Sequence, residues 1–278
     1  MNYCEVTFVL NPLLPAREVL VAELAERGFE SFVETEDGVQ AYIIEDDFNE
    51  SLLKDLMTAD IPELEFRYEY KTIEDQNWNA KWEESFDPIV VDDKCLIRAP
   101  FHDNLKKYEY EIVIEPKMSF GTGHHDTTHL IISKMLDMNF SGKNVLDMGC
   151  GTGVLAILAA MKGALRGDAI DIDEWAFENT VENFERNNCR NFNVIMGGAE
   201  SIPQGEQYDV ILANINRNIL VRDMHHYAEH LKSGGTILFS GFYVGDKPEI
   251  ERAANACGLN LHSEDSRNEW CVLSFEKV

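Results

Sequence analysis

Val145-Leu146-Asp147-Met148-Gly149-Cys150-Gly151-Thr152-Gly153 decides how this 278-residue chain is read. Asn144–Asp147 is a short apolar run of the kind that forms a strand buried on both faces. Val154–Met161 (VLAILAAM) follows as a helix. Glycines between a strand and a helix let the backbone approach a ligand closely. Dinucleotide folds prefer G-x-G-x-x-G, which seats a pyrophosphate on the helix N-terminus. Here the spacing is G-x-G-x-G, Val154 follows Gly153 directly, and Asp147 stands two residues before the first glycine. Such an acid repels a pyrophosphate and welcomes a cation. A ligand with an amino group and a sulfonium fits this loop better than one with phosphates. The next strand, Asp168–Asp171, ends in a second acid, 18 residues past Gly153. That is close to the roughly 20 expected of a carboxylate that holds ribose hydroxyls. Together the two motifs describe a nucleoside site at the carboxyl ends of adjacent strands.

The flanking sequence continues the same alternation. Helices are expected over His125–Leu136, Glu174–Asn187, Arg217–Leu231 and Lys247–Cys257. Strands are expected over Asn193–Met196, Tyr208–Ala213 and, after the Gly234-Gly235 turn, Thr236–Ser240. This order gives an α/β fold, a mostly parallel sheet covered on both faces. Leu259–Asp265 and Trp270–Phe275 form a closing hairpin that makes the last strand antiparallel. Short strands Pro88–Arg98 and Tyr108–Ile114 lead in. Residues 73–86 read as a connecting helix with Trp78 and Trp82 at i,i+4. Residues 1–72 read as a small α+β domain: strand Tyr3–Leu10, helix Ala16–Glu26, a hairpin of Ser31–Glu36 and Val39–Glu45 across Asp37-Gly38, helix Asn49–Met57, strand Glu65–Thr72. That order is ferredoxin-like. The expected division is 1–72, linker 73–86, and 87–278.

Composition narrows the function classes. Fifty Asp and Glu against 24 Lys and Arg give a net charge of −26, and no basic stripe tracks a phosphate backbone, so no direct nucleic-acid partner is expected. An acidic body instead attracts basic partners. No apolar run approaches the roughly 20 residues of a membrane span. The opening MNYCEVTFVLNPLLP has neither a basic segment nor a clean apolar one, so no signal peptide is expected. Six cysteines without a CxxC pair suit a reducing cytoplasm. His125 and His129 stand at i,i+4, and His225, His226 and His230 cluster, but no carboxylate completes H-E-x-x-H, so no metal is expected. Cys150 reads as a small packing residue in the tight turn.

The glycine loop with Asp171 resembles the class I S-adenosylmethionine-dependent methyltransferases, and two further stretches narrow the likeness. Phe120-Gly121-Thr122-Gly123-His124-His125-Asp126-Thr127-Thr128 and Leu212-Ala213-Asn214-Ile215 are similar to the signature loops of the bacterial ribosomal protein L11 methyltransferase family. Trp78, Trp82, Glu269-Trp270-Cys271 and the small first domain extend the likeness over nearly the whole chain. The resemblance implies a Rossmann-like methyltransferase sheet and S-adenosylmethionine as cofactor. It implies cofactor contacts at Thr128, Gly149, Asp171 and Asn214. Phe120, Gly121, Thr122 and His125 would form a loop folded over the cofactor, and Gly151 would belong to the glycine cradle. The implied partner is a basic large-subunit ribosomal protein methylated on lysine or N-terminal amines, recognised by the small domain. The expected enzyme is a cytoplasmic monomer. Two residues depart from the pattern: Asp126 stands where proline is frequent, and Asn216 where an aliphatic residue is common.

Methyl transfer to an amine needs a neutral acceptor that aims the nitrogen without holding its proton. Asn214 has that character and is the expected catalytic residue; the alternative is that it only caps the following helix. Glu200, after Gly197-Gly198-Ala199, either faces an adenine pocket or is a solvated surface acid.

Overall fold

The computed structural model describes residues 2–54, 56, 58, 61–73, 87–103, 106–116 and 121–278. The chain divides into two units, Met1–Glu84 and Ser85–Val278.

In the first unit, alternation along β1 (Tyr3–Asn11) buries Cys4, Val6, Phe8 and Leu10. Leu20 and Leu24 of α1 (Ala16–Glu26) join the same core. β2 (Ser31–Thr35), β3 (Gly38–Ile44) and β4 (Glu65–Ile73) complete an antiparallel sheet of order β2-β3-β1-β4, the ferredoxin-like order. The helix expected over Asn49–Met57 is not formed. Among the described residues only a short 3₁₀ turn, Glu50–Leu53, stands there, capped by Asn49. Arg27 supplies the reason. Its guanidinium donates to the carbonyls of Leu52 and Lys54 at 2.8 and 2.7 Å, the groups a helix would satisfy internally. The expected connecting helix 73–86, with Trp78 and Trp82, lies outside the described residues apart from Ile73, which ends β4.

In the second unit the stretch expected as Pro88–Arg98 is a hairpin of β5 (Ile89–Val91) and β6 (Cys95–Arg98), with β7 (Tyr110–Val113) parallel to β6. Then come α2 (Asp126–Asp137), β8 (Asn144–Met148), α3 (Val154–Met161), β9 (Arg166–Asp171), α4 (Glu174–Arg186), β10 (Phe192–Met196) and β11 (Tyr208–Asn214). α5 (Arg217–His230), β12 (Leu231–Tyr243), α6 (Lys247–Ala256), β13 (Leu259–Arg267) and β14 (Trp270–Lys277) follow. β12 is longer than expected. Leu231 pairs with Tyr208 and Thr236 with Val210, so Gly234-Gly235 sits in a bulge within the strand rather than before it.

The seven-stranded sheet has the order β10-β9-β8-β11-β12-β14-β13, parallel except for β14, which is antiparallel to both neighbours. Strand residues alternate between two cores. Val145 and Leu212 face Ile131, Ile157 and Phe184 on one side. Leu146 and Ile211 face Leu220, Met224 and Ile250 on the other. From β8 the chain runs outward through β9 to β10, and from β11 outward through β12. A crevice therefore opens at the carboxyl ends of β8 and β11, where ligands settle in open α/β sheets.

Candidate functional site

The glycine loop leaves β8 at this crevice. Gly149 has φ +69°, and a Cβ there would meet Ile215 Cγ2 at 2.1 Å, so only glycine lets the segment after β11 close on the loop. The loop is pinned to the end of β9. The amides of Gly149 and Cys150 donate to the Ile170 carbonyl at 2.8 and 3.2 Å. Asp171 accepts the Gly151 amide at 2.8 Å on Oδ2 and the Asp173 amide at 3.1 Å on Oδ1. Each oxygen keeps a lone pair for a further hydroxyl.

Asp147 does not play the part its sequence position suggests. It does not line the crevice and is wholly buried, with Oδ2 accepting the Ala156 amide at 3.1 Å and Oδ1 without a partner among the described residues. It braces the first turn of α3. Burial pushes its carboxyl up to about 7, opposed by the Ala156 amide and helped by the nearby Asp171 charge. The ordinary value is about 3.9, so between about pH 4 and 7 the folded protein holds a proton that the unfolded chain has lost. Stability from this group therefore declines as pH rises through that window. Asp147→Asn cannot ionise and should flatten the decline. Thermal melts at pH 5 and pH 8 are expected to show a larger loss in the parent than in the variant, and equal losses would remove Asp147 as the source.

A cavity of about 670 Å³ occupies the crevice, within the range of small-molecule sites. Gly149, Gly151, Asp171 and Asn214, all expected from the sequence, line it. Ile172, Trp175 and Ile219 add apolar walls that sequence reasoning missed. Ile172 and Trp175 are 79% and 72% exposed. The available signal was two large apolar residues among the acids that follow the strand end, in Asp171-Ile172-Asp173-Glu174-Trp175.

Thr128 lies behind Asn214 rather than on the cavity wall. It is fully buried, and its Oγ1 accepts Asn214 Nδ2 at 3.2 Å. Asn214 is 9% exposed, and its Oδ1 has no hydrogen-bond partner among the described residues. The helix cap that could have explained Asn214 is Asn216, whose Oδ1 accepts the Ile219 amide at 3.1 Å. On its other side Asn214 borders a second pocket of about 240 Å³, formed with His125, Thr127, Ile215 and Trp270. Asn214 and Ile215 thus separate two cavities. Chemically, an amide whose nitrogen is tied keeps its oxygen as an acceptor for an N–H brought against it.

A family model described as "Ribosomal protein L11 methyltransferase (PrmA)" matches residues 14–278. The chain belongs to the ribosomal protein L11 methyltransferase family. It is 45% identical over 278 residues to the ribosomal protein L11 methyltransferase of Bacteroides fragilis, covering 99% of each chain. It is 47% identical over 262 residues to the one of Porphyromonas gingivalis, covering 94% of this chain and 90% of that one. Among solved structures, a ribosomal protein L11 methylase from Lactobacillus delbrueckii subsp. bulgaricus is similar with a TM-score of 0.64 and 24% identity. That match covers 69% of this chain and 100% of the other, and it shows a shared fold.

In this member of the ribosomal protein L11 methyltransferase family the Gly121–His125 stretch is tied to the glycine loop, because Thr152 Oγ1 donates to the Gly121 carbonyl at 2.8 Å. Gly121, Thr122 and His125 do not line the larger cavity. Thr122 Oγ1 pairs with His124 Nδ1 at 3.1 Å. His125 caps α2 through Thr127 and meets Trp270 edge-on at 4.6 Å, on the wall of the second pocket. Phe120 lies outside the described residues. Asp126, one departure from the family pattern, accepts Asn268 at 2.7 Å and pairs with Arg267 at 2.8 Å. Those partners, with Asn268 first, hold its carboxyl below the usual range. The start of α2 is thereby fixed to the β13–β14 turn by charge instead of by a proline ring.

The remaining candidates fall away from the site. Glu200 is exposed and folds back to accept the Gly198 amide at 3.0 Å, while Gly197, Gly198 and Ala199 form the wall. Cys150 is buried, and burial pushes its thiol well above the usual range, so it is no thiolate nucleophile. Among the described residues no three His, Cys, Asp or Glu converge as a metal would require, and no helix is long and apolar enough to cross a membrane.

Proposed function

We propose that the protein transfers methyl groups from S-adenosylmethionine to lysine and N-terminal amines of ribosomal protein L11. The observation that carries this is Asn214: one amide, its nitrogen held by Thr128 and its oxygen unpartnered, standing between a nucleoside-sized cavity and a second pocket. The residues present fit the donor. Asp171 offers two acceptor oxygens for a ribose diol, and Ile172 and Trp175 offer apolar faces for a base. When bound, S-adenosylmethionine supplies a methyl group activated by a neighbouring sulfonium.

The protein's own work is position, dryness and proton control. A lysine of pKa near 10.4 costs about 4–5 kcal/mol to hold neutral at pH 7, and an α-amine near pKa 8 only about 1 kcal/mol. A carboxylate beside the amine would raise that cost. Asn214 Oδ1 accepts one N–H and leaves the lone pair free for attack. His125, packed edge-on against Trp270, gives the second pocket an aromatic wall for an alkyl chain that carries the amine.

The small first unit is the docking module for a basic protein in this reading. The net charge of −26 speeds encounter with such a substrate. Stopped-flow association rates should fall by about tenfold between low and physiological ionic strength; a flat rate would remove electrostatic steering. The decisive assay is mass spectrometry of ribosomal protein L11 after incubation with the enzyme and S-adenosylmethionine. The expected result is added mass in whole methyl steps on lysine or the N-terminus. An unchanged mass under multiple-turnover conditions would contradict the proposal.

A further inference from the structure

The buried face of α4 is polar. Asn179, Thr180 and Asn183 are all fully buried, although the inward stripe of a helix is normally apolar and Asn is a poor helix former. Their side chains are committed outward from the helix to two other segments. Toward the glycine loop, Thr180 Oγ1 donates to the Gly151 carbonyl at 2.8 Å and Asn183 Nδ2 to the Thr152 carbonyl at 2.9 Å. Toward the chain leaving β7, Asn183 Oδ1 accepts the Glu115 amide at 2.8 Å, and Asn179 Nδ2 donates to the Glu115 carbonyl at 3.3 Å. One turn on, Asn187 accepts the Val113 amide at 2.8 Å and donates to the Val113 carbonyl at 2.7 Å. Asparagines at i, i+4 and i+8 thus serve residues 113 and 115 as a neighbouring strand would, while the Ile114 amide donates to Arg98 on the opposite edge at 2.8 Å.

Asn183 is the member of this ladder that touches both segments. Thr152 is then fixed at two atoms: its carbonyl by Asn183, and its hydroxyl on the Gly121 carbonyl. Only a neutral amide presents a donor and an acceptor side by side. A carboxylate would set oxygen against the Thr152 carbonyl, and an alkyl group would leave a buried N–H and C=O unpaired.

We infer that Asn183 is a positioning residue for the methyl-donor site. It sets the glycine loop against the segment that enters the Gly121–His125 loop, so its loss loosens donor binding and not merely the fold. The inference rests on the reading of the 670 Å³ cavity as the S-adenosylmethionine site. Asn187 provides the control, because it holds the same strand and, among the described residues, its side-chain hydrogen bonds go to Val113 and Asn183 and not to the glycine loop.

The test uses the full chain and three variants, Asn183→Leu, Asn183→Asp and Asn187→Leu, with S-adenosylmethionine titrated by calorimetry and thermal midpoints measured alongside. Both leucine variants should melt earlier than the parent. Only the Asn183 variants should weaken donor binding, by about tenfold, with kcat at saturating donor within about threefold of the parent. Asn183→Asp keeps an acceptor for Glu115 and replaces the donor to Thr152 with an oxygen set against that carbonyl, so it strikes the loop contact while sparing the strand contact if the leucine variant fails to fold. Asn183 variants with lowered midpoints and unaltered donor affinity would overturn the inference. So would equal weakening in Asn187→Leu. A parent that binds no S-adenosylmethionine would overturn the reading of the cavity and this inference with it; a parent that binds normally beside unaltered Asn183 variants overturns the inference alone.

Discussion

Asn214→Ala is expected to lower kcat for methylation of ribosomal protein L11 by about 100-fold or more, equivalent to roughly 2.7 kcal/mol of lost transition-state stabilisation. The loss follows from what the amide does. Its oxygen is the unpartnered acceptor between the two cavities, and without it the acceptor nitrogen is free to rotate away from the line of attack. The fold should survive. Alanine gives up one hydrogen bond, to Thr128 Oγ1, worth about 1 kcal/mol, and the helix cap is kept by Asn216. Asn214→Asp should fail as well, because a carboxylate stabilises the ammonium it would need to deprotonate. Turnover within about threefold of the parent, a change below 1 kcal/mol, would show that Asn214 has no such role.

Asp171→Ala is expected to raise the Kd for S-adenosylmethionine by about 100-fold. Two effects add. The carboxylate is the acceptor for the ribose diol in the proposed site, and hydrogen bonds to a charged group contribute about 1.5–3 kcal/mol. It also organises the loop itself, taking the amides of Gly151 and Asp173. Asp171→Asn keeps one acceptor oxygen and turns an N–H₂ toward one of those amides, so it should fall between parent and alanine. Calorimetric titration checks both. Affinity in the alanine variant within threefold of the parent would place the ribose elsewhere.

The parts of the fold legible in the sequence were those written in local patterns. The strands of the larger unit are short apolar runs, and the acids or amides at their ends, Asp171 and Asn214, mark where each reaches the crevice. His125, Asp173 and Asn216 each cap the helix that follows, so its start could be placed within a residue or two. The failures came from long-range contacts. Arg27 unmakes the helix expected near residue 52 from 25 positions away, and no periodicity announces that. Asp147 sits one residue from the β8 end, and its direction depends on whether the Ala156 amide claims it. The cavity walls at Trp175 and Ile219 are brought together by the sheet order, which the sequence does not state. The polar stripe of Asn179, Asn183 and Asn187 takes its meaning from the partner segment 113–115, which no local pattern supplies.

The most direct test of the account is a crystal structure of the full chain with S-adenosylmethionine or its demethylated product. Ribose hydroxyls are expected on Asp171, the base against Ile172 and Trp175, and the sulfur facing Asn214 from the larger cavity. A ligand seated outside that cavity, or a sulfur turned away from Asn214, would contradict it.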